Sequence, residues 1–214
     1  TEAKGGNAFA VARLSAGGLL DSTFGTGGRV TTSFVDGDTG SGGDRAHAVA
    51  LQNDGRIVVA GQAEMHANID RNDFALARYN SNGSLDTSFS GDGKVTTDFG
   101  LATNASDTAF AMLIEPNGRI VAVGYAGYTG GDTRLGLARY DANGSLDTTF
   151  GSGGTVAVAD VRARIARATV LQMVGSSGQI VVAGVGSPPN GTSRMMLARF
   201  AAFTQVQLQL PRRN

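Results

Sequence analysis

Three observations in the amino-acid sequence predict an all-β protein, a β-propeller built of four-stranded antiparallel blades with about three and a half blades in this chain. The first is a period. Arg13, Arg78, Arg139 and Arg199 each end a short apolar run, and they stand 65, 61 and 60 residues apart, a spacing that marks a repeat architecture. The second is what one period contains: runs of four to seven strand-forming residues separated by Asp-Gly and Asn-Gly turns, whose glycines accept the positive φ of tight hairpins. The third is composition. The chain has 32 glycines and only 4 prolines, which suits short strands and tight turns better than helices.

Taken in order, residues 1 to 8 are a polar, glycine-rich entry. Phe9–Leu14 and Arg29–Phe34 form a first strand pair, a half blade over 9–34. Residues 35–45 carry too much glycine and aspartate for regular structure and read as a loop. Ala46–Gln52 and Arg56–Gly61 then make a hairpin about Asn53-Asp54-Gly55. The second of these strands is nearly all apolar, as in a strand buried on both faces. Phe74–Tyr79 and Gly93–Phe99, joined through Asn82-Gly83, complete a blade over 46–99. The pattern returns over 108–158, with its hairpin at Pro116-Asn117-Gly118, and begins again over 167–210. There Gln205–Leu210 is the atypical last strand. Gly61, Gly124 and Gly184 match in register between units. Apolar residues on both strand faces fit blades packed between two neighbours.

The runs Phe-Ala-Leu-Ala-Arg-Tyr, Asn-Gly-Ser-Leu-Asp-Thr-Ser-Phe, Gly-Lys-Val-Thr-Thr and Asn-Asp-Gly-Arg-Ile-Val-Val-Ala-Gly resemble the bacterial delta-60 repeat over residues 9 to 200. That resemblance implies propeller-like repeats of secreted or cell-surface bacterial proteins and implies no defined reaction. The expected localisation is therefore extracellular or at the bacterial cell surface.

Charge narrows the partners. With 18 basic and 18 acidic residues, no net field draws the chain to nucleic acid or to an anionic membrane. No cysteine occurs, which excludes disulfides and thiolate metal sites. No apolar run approaches twenty residues, so no membrane insertion is expected. Three and a half blades leave unpaired edges, so self-association or membership in a longer propeller is expected.

Candidate functional residues fall into two classes. Arg13/Asp21, Arg78/Asp86 and Arg139/Asp147 recur at an offset of eight and read as a structural brace, because binding sites usually break a repeat's symmetry. Asp141, Asn143 and Asp147 place oxygens at alternate positions and are weak calcium candidates, although the Asn-Gly turn explains them without a metal. No other cofactor is implied.

The residues that do not recur lie in loops on one face. Asp36, Asp38 and Asp44 form an acidic loop, and Arg162 and Arg164 a basic one. Tyr125, Tyr128 and Asp132 offer rings that could stack on a sugar or anchor a partner. His47 and His66 are the only histidines. His47 reads as lining the central channel, where Phe110 and Thr169 take the equivalent places. The expectation is a non-enzymatic scaffold or binding module that takes a protein or glycan through these loops. Two alternatives are a hydrolase or lyase with a metal-assisted site at the channel mouth, and a purely structural spacer.

Overall fold

A computed structural model describes residues 7–34, 43–66, 71–159, 165–174, 177–186 and 194–201. The described residues form four antiparallel sheets in chain order. The first holds β1 (Phe9–Ala12) and β2 (Arg29–Thr32). The second is a meander of β3 (Arg45–Leu51), β4 (Ile57–His66), β5 (Arg71–Tyr79) and β6 (Lys94–Thr97). The third repeats it with β7 (Thr108–Ile114), β8 (Ile120–Gly127), β9 (Thr133–Tyr140) and β10 (Thr155–Val158). The last has β11 (Ile165–Val174), β12 (Ser177–Gly186) and β13 (Arg194–Ala201). The segment Gln205–Leu210, expected as its fourth strand, lies outside the described residues.

Strand alternation decides how the sheets stack. In β5 the small residues Ala75 and Ala77, with Tyr79, pack against Phe9 and Phe24 of the first sheet. Phe74 and Leu76 point the other way and pack against Ala122, Ala138 and Tyr140 of the third. Leu135 and Leu137 of β9 then meet Ile180, Val182, Met196 and Phe200 of the last sheet. Large residues of one blade therefore fill the shallow face of the next, as close packing requires. The last sheet breaks the series. Met195 and Leu197 occupy the positions of Phe74 and Leu76 but are 91% and 57% exposed.

Polar bonds tie neighbouring sheets together at the first two junctions. The Tyr79 hydroxyl donates to Thr32 Oγ1 across the first junction at 2.8 Å, and the Tyr140 and Thr97 hydroxyls are 2.8 Å apart across the second. The backbone amide of Gly25 donates to the Asn82 carbonyl, and that of Ser90 to the Asn143 carbonyl.

A further regularity places the candidate site. β3, β7 and β11 each carry a register shift against their partner strand, between Ala46 and Ala48, Ala109 and Ala111, and Ala166 and Ala168. One extra residue therefore bulges from each innermost strand, and these are His47, Phe110 and Arg167. The recurring glycines explain how the bulges close. A Cβ on Gly61, Gly124 or Gly184 would lie 1.8 to 1.9 Å from the carbonyl oxygen of Arg45, Thr108 or Ile165. The expected equivalent of His47 in the last unit, Thr169, is corrected to Arg167. Alignment of the apolar runs hides a two-residue displacement that the bulge register resolves.

Candidate functional site

Bulges re-aim side chains out of the regular pleat, and here they bring three unlike groups into a row. The rings of His47 and Phe110 are 5.0 Å apart and tilted by 51°. The Arg167 guanidinium lies over the Phe110 ring with its central carbon 4.1 Å from the centroid. Tyr125 continues the row, its ring 5.8 Å from Phe110. The Thr108 hydroxyl donates to Gln62 Oε1 at 3.0 Å and stands 3.1 Å from the Tyr125 hydroxyl. Gln62 also donates to the Gly43 carbonyl at 3.2 Å. Register makes Gln62, Tyr125 and Val185 counterparts in the three blades. The scaffold thus repeats here while its chemistry does not.

Partial desolvation against its neighbours holds the pKa of the largely exposed His47 below the usual histidine value, Gln62 opposes it, and the charges of Arg45 and Arg167 lower it further.

Beside this row is a cleft of about 570 Å³, with the segment 102–106 on one wall and Tyr125 and 127–133 on the other. It contains all three residues singled out from the second loop, Tyr125, Tyr128 and Asp132. Arg134 lies over the Tyr128 ring, 3.6 Å from its centroid, and covers one face. A single turn of 3-10 helix, Thr129–Gly131, shapes the wall, with Gly130 and Gly131 at φ of 74° and 77°.

Asp73, Asp98 and Asp107 bring carboxylate oxygens within 4.8 Å of one another. Arg71 already supplies a cation to this trio, contacting Asp98 through Nη2 and Asp73 through Nε at 3.6 Å. Asp107 has a structural task as well. Its two oxygens accept from the amides of Phe99 and Gly127, at 2.8 and 2.9 Å, clamping the second sheet to the third. Burial pushes its pKa up to about 7, against the pull of those two amides and with help from Asp98 and Asp73.

Asp44 sits at the same place one junction earlier. It accepts from Phe34 N at 2.9 Å and Glu64 N at 3.0 Å. The grouping of Asp44 with a solvated acidic loop is thus corrected: it is 4% exposed and its oxygens hold two blades together. Asp36, Asp38, Arg162 and Arg164 lie outside the described residues. His66 ends β4 opposite Arg71.

The recurring arginines hold the recurring aspartates. Nε of Arg13, Arg78 and Arg139 donates to Oδ2 of Asp21, Asp86 and Asp147 at 2.9, 2.8 and 2.8 Å. Each guanidinium also lies 4.5 to 4.9 Å from the centroid of Phe24, Phe89 or Phe150. A second arginine reaches two of the carboxylates from the hairpin turn: Arg56 to Asp86 at 3.0 Å and Arg119 to Asp147 at 3.3 Å.

The weak calcium candidates Asp141, Asn143 and Asp147 stand in this arrangement, where the Asn-Gly turn and its arginines supply donors. Asp141 accepts from Arg119, and Asn143 Oδ1 accepts from Ser145 N at 3.0 Å. Asp147 takes two guanidinium groups and both donors of Thr149. The roles of Arg56 and Arg119 are signalled by their matched places before Ile-Val-Val and Ile-Val-Ala. Those of Gln62 and Thr108 carry no sequence signal.

A family model described as a domain of unknown function (DUF5122), beta-propeller, matches residues 1–24, 52–89 and 115–150. With the four stacked sheets, this gives the chain a β-propeller fold built of repeated units. No curated protein matches it. Among solved structures, it is similar to the crystal structure of exo-1,5-alpha-L-arabinanase from a bovine ruminal metagenomic library, at 11% identity and a TM-score of 0.49. That likeness covers 86% of this chain and 60% of the other, so the chain spans less than two thirds of that protein. The neighbour is by name an enzyme, and the expectation that the chain is no enzyme is not kept, although the likeness assigns this chain no activity.

Proposed function

We propose that the chain is a ligand-binding β-propeller module that takes a saccharide in the cleft between residues 102–106 and 125–133. The observation that carries this reading is the lining. Two tyrosines meet a wall rich in hydroxyl, amide and carboxylate groups, including Thr103, Asn104, Ser106 and Asp132. A sugar presents an apolar C–H face and a rim of hydroxyls, so it needs a ring to cover the one and converging polar groups to satisfy the other. Arg134 lies over the Tyr128 ring, and Tyr128 lines the cleft. The wall stands on β8 and β9, rigid strands of an interior blade.

The test is a glycan array followed by calorimetric titration of the best binder. Tyr128→Ala should weaken binding by at least about tenfold with an unchanged melting temperature. No saccharide bound on the array, or full affinity retained in that variant, would sink the proposal. Mass analysis of the titrated glycan reads in the same sample whether it is also cleaved.

A further inference from the structure

We propose that the bulge row is a second binding site, for a small carboxylate-bearing molecule, with Arg167 and Arg45 as its cationic groups, His47 as a hydrogen-bonding partner and Phe110 as its floor. This site adjoins the saccharide cleft at Tyr125 and needs neither Tyr128 nor Asp132.

Arg167 is the central group. Its guanidinium carbon lies over the Phe110 ring, and the N–H donors lie in the guanidinium plane. That geometry suits a planar carboxylate, which accepts two parallel hydrogen bonds from the fork. Stacking also removes rotamer freedom before a ligand arrives, lowering the ordering cost of binding.

No described residue pairs with this charge. Among the described residues, neither Arg45 nor Arg167 has an ion-pair partner, whereas Arg13, Arg56, Arg71, Arg78, Arg119 and Arg139 all do. Arg45, His47 and Arg167 are exposed, while Phe110 is half-buried beneath them. Both Arg45 and Arg167 act electrostatically on His47, so an anion placed at the imidazole lies in the field of both.

Placement points the same way. His47, Phe110 and Arg167 hold one structural position in three blades, each forced out of the sheet by a bulge that a glycine makes possible. A packing role would favour similar residues in all three, as it does for the buried rings of Tyr79, Tyr140 and Phe200. Here the three differ and touch.

The test uses the full chain and follows the His47 ring proton by NMR, assigned with His47→Gln. Glucuronate is the probe, with glucose as its neutral counterpart and inorganic phosphate as the tetrahedral anion. Glucuronate should shift the His47 signal saturably and glucose should not. Arg167→Ala should weaken glucuronate at least about tenfold. Arg167→Lys, which keeps the charge and loses the fork, should recover only part of that. Arg45→Ala gives an independent second loss at a separately placed exposed residue. Equal shifts with glucose, unchanged affinity in Arg167→Ala, or phosphate binding as tightly as glucuronate would each overturn the proposal.

Discussion

Arg78 faces two ways: its Nε donates to Asp86 within its own blade, while its Nη1 donates to the Ala142 carbonyl in the turn of the next. Arg13 makes the corresponding pair of bonds to Asp21 and Ser81 one blade earlier. One side chain therefore fixes a turn and a blade junction together.

Burial ranks these braces. Arg78 is 3% exposed and Asp86 5%, so Arg78→Ala should cost about 3 kcal/mol, the usual penalty for breaking a buried pair. Arg13 and Asp21 are part-exposed at the end of the described array, and Arg13→Ala should cost about 1 kcal/mol or less. Urea unfolding of the two variants checks the order.

Gly124→Ala should be among the most damaging single changes, at least about 3 kcal/mol. The added Cβ would meet the Thr108 carbonyl oxygen at 1.8 Å, and backbone cannot step aside. Gly55→Ala is the contrast. It has a φ of +82° with nothing nearby, so only conformational strain is felt, about 1 kcal/mol. Melting curves of the pair would separate collision from strain.

The buried Asp107 makes stability depend on pH. Its pKa rises from an ordinary carboxylate value in the unfolded chain to about 7 when folded, so folding favours its protonated form. This contribution is fully present at acid pH and is lost as pH rises from about 4 to about 7. Asp107→Asn should flatten that part of the stability profile, although it also sacrifices one backbone acceptor. Denaturation at a series of pH values, parent against variant, measures the difference. A parallel pair of profiles would refute it.

Tyr140→Phe should cost about 1 to 2 kcal/mol, because it removes a fully buried hydroxyl and strands its partner Thr97. The double variant with Thr97→Val should recover part of the loss, since both polar partners are then gone. Equilibrium unfolding of the single and double variants tests this.

The strands and hairpin turns are legible in the sequence because their signals are local: Asp54-Gly55 and Asn82-Gly83 announce turns, and the apolar runs between them announce strands. Gly61, Gly124 and Gly184 are visible there as a matched set, but their reason is not. A bulge depends on the partner strand's carbonyl, which no local pattern encodes. For that reason the runs alone align His47 with Thr169 in place of Arg167. Asp44 misleads for a similar reason. Its neighbours in sequence are glycine and aspartate, but its neighbours in space are the amides of Phe34 and Glu64. The tyrosines and Asp132 of the second loop can be found from composition alone, since side chains of that kind stand out in an otherwise fixed repeat.

The one-way succession of braces has a consequence for how such a chain can change over time. The first two units hold their successors through arginines, Arg13 and Arg78, that recur with the period. Excision of the 61 residues from Tyr79 to Arg139 would rejoin Arg78 to Tyr140 and recreate the same style of junction. The same event would delete Phe110 and Tyr125 and leave His47 facing Arg167 with no ring between them. Copy number can drift with the framework intact, while the axial chemistry is inherited only as an ordered set.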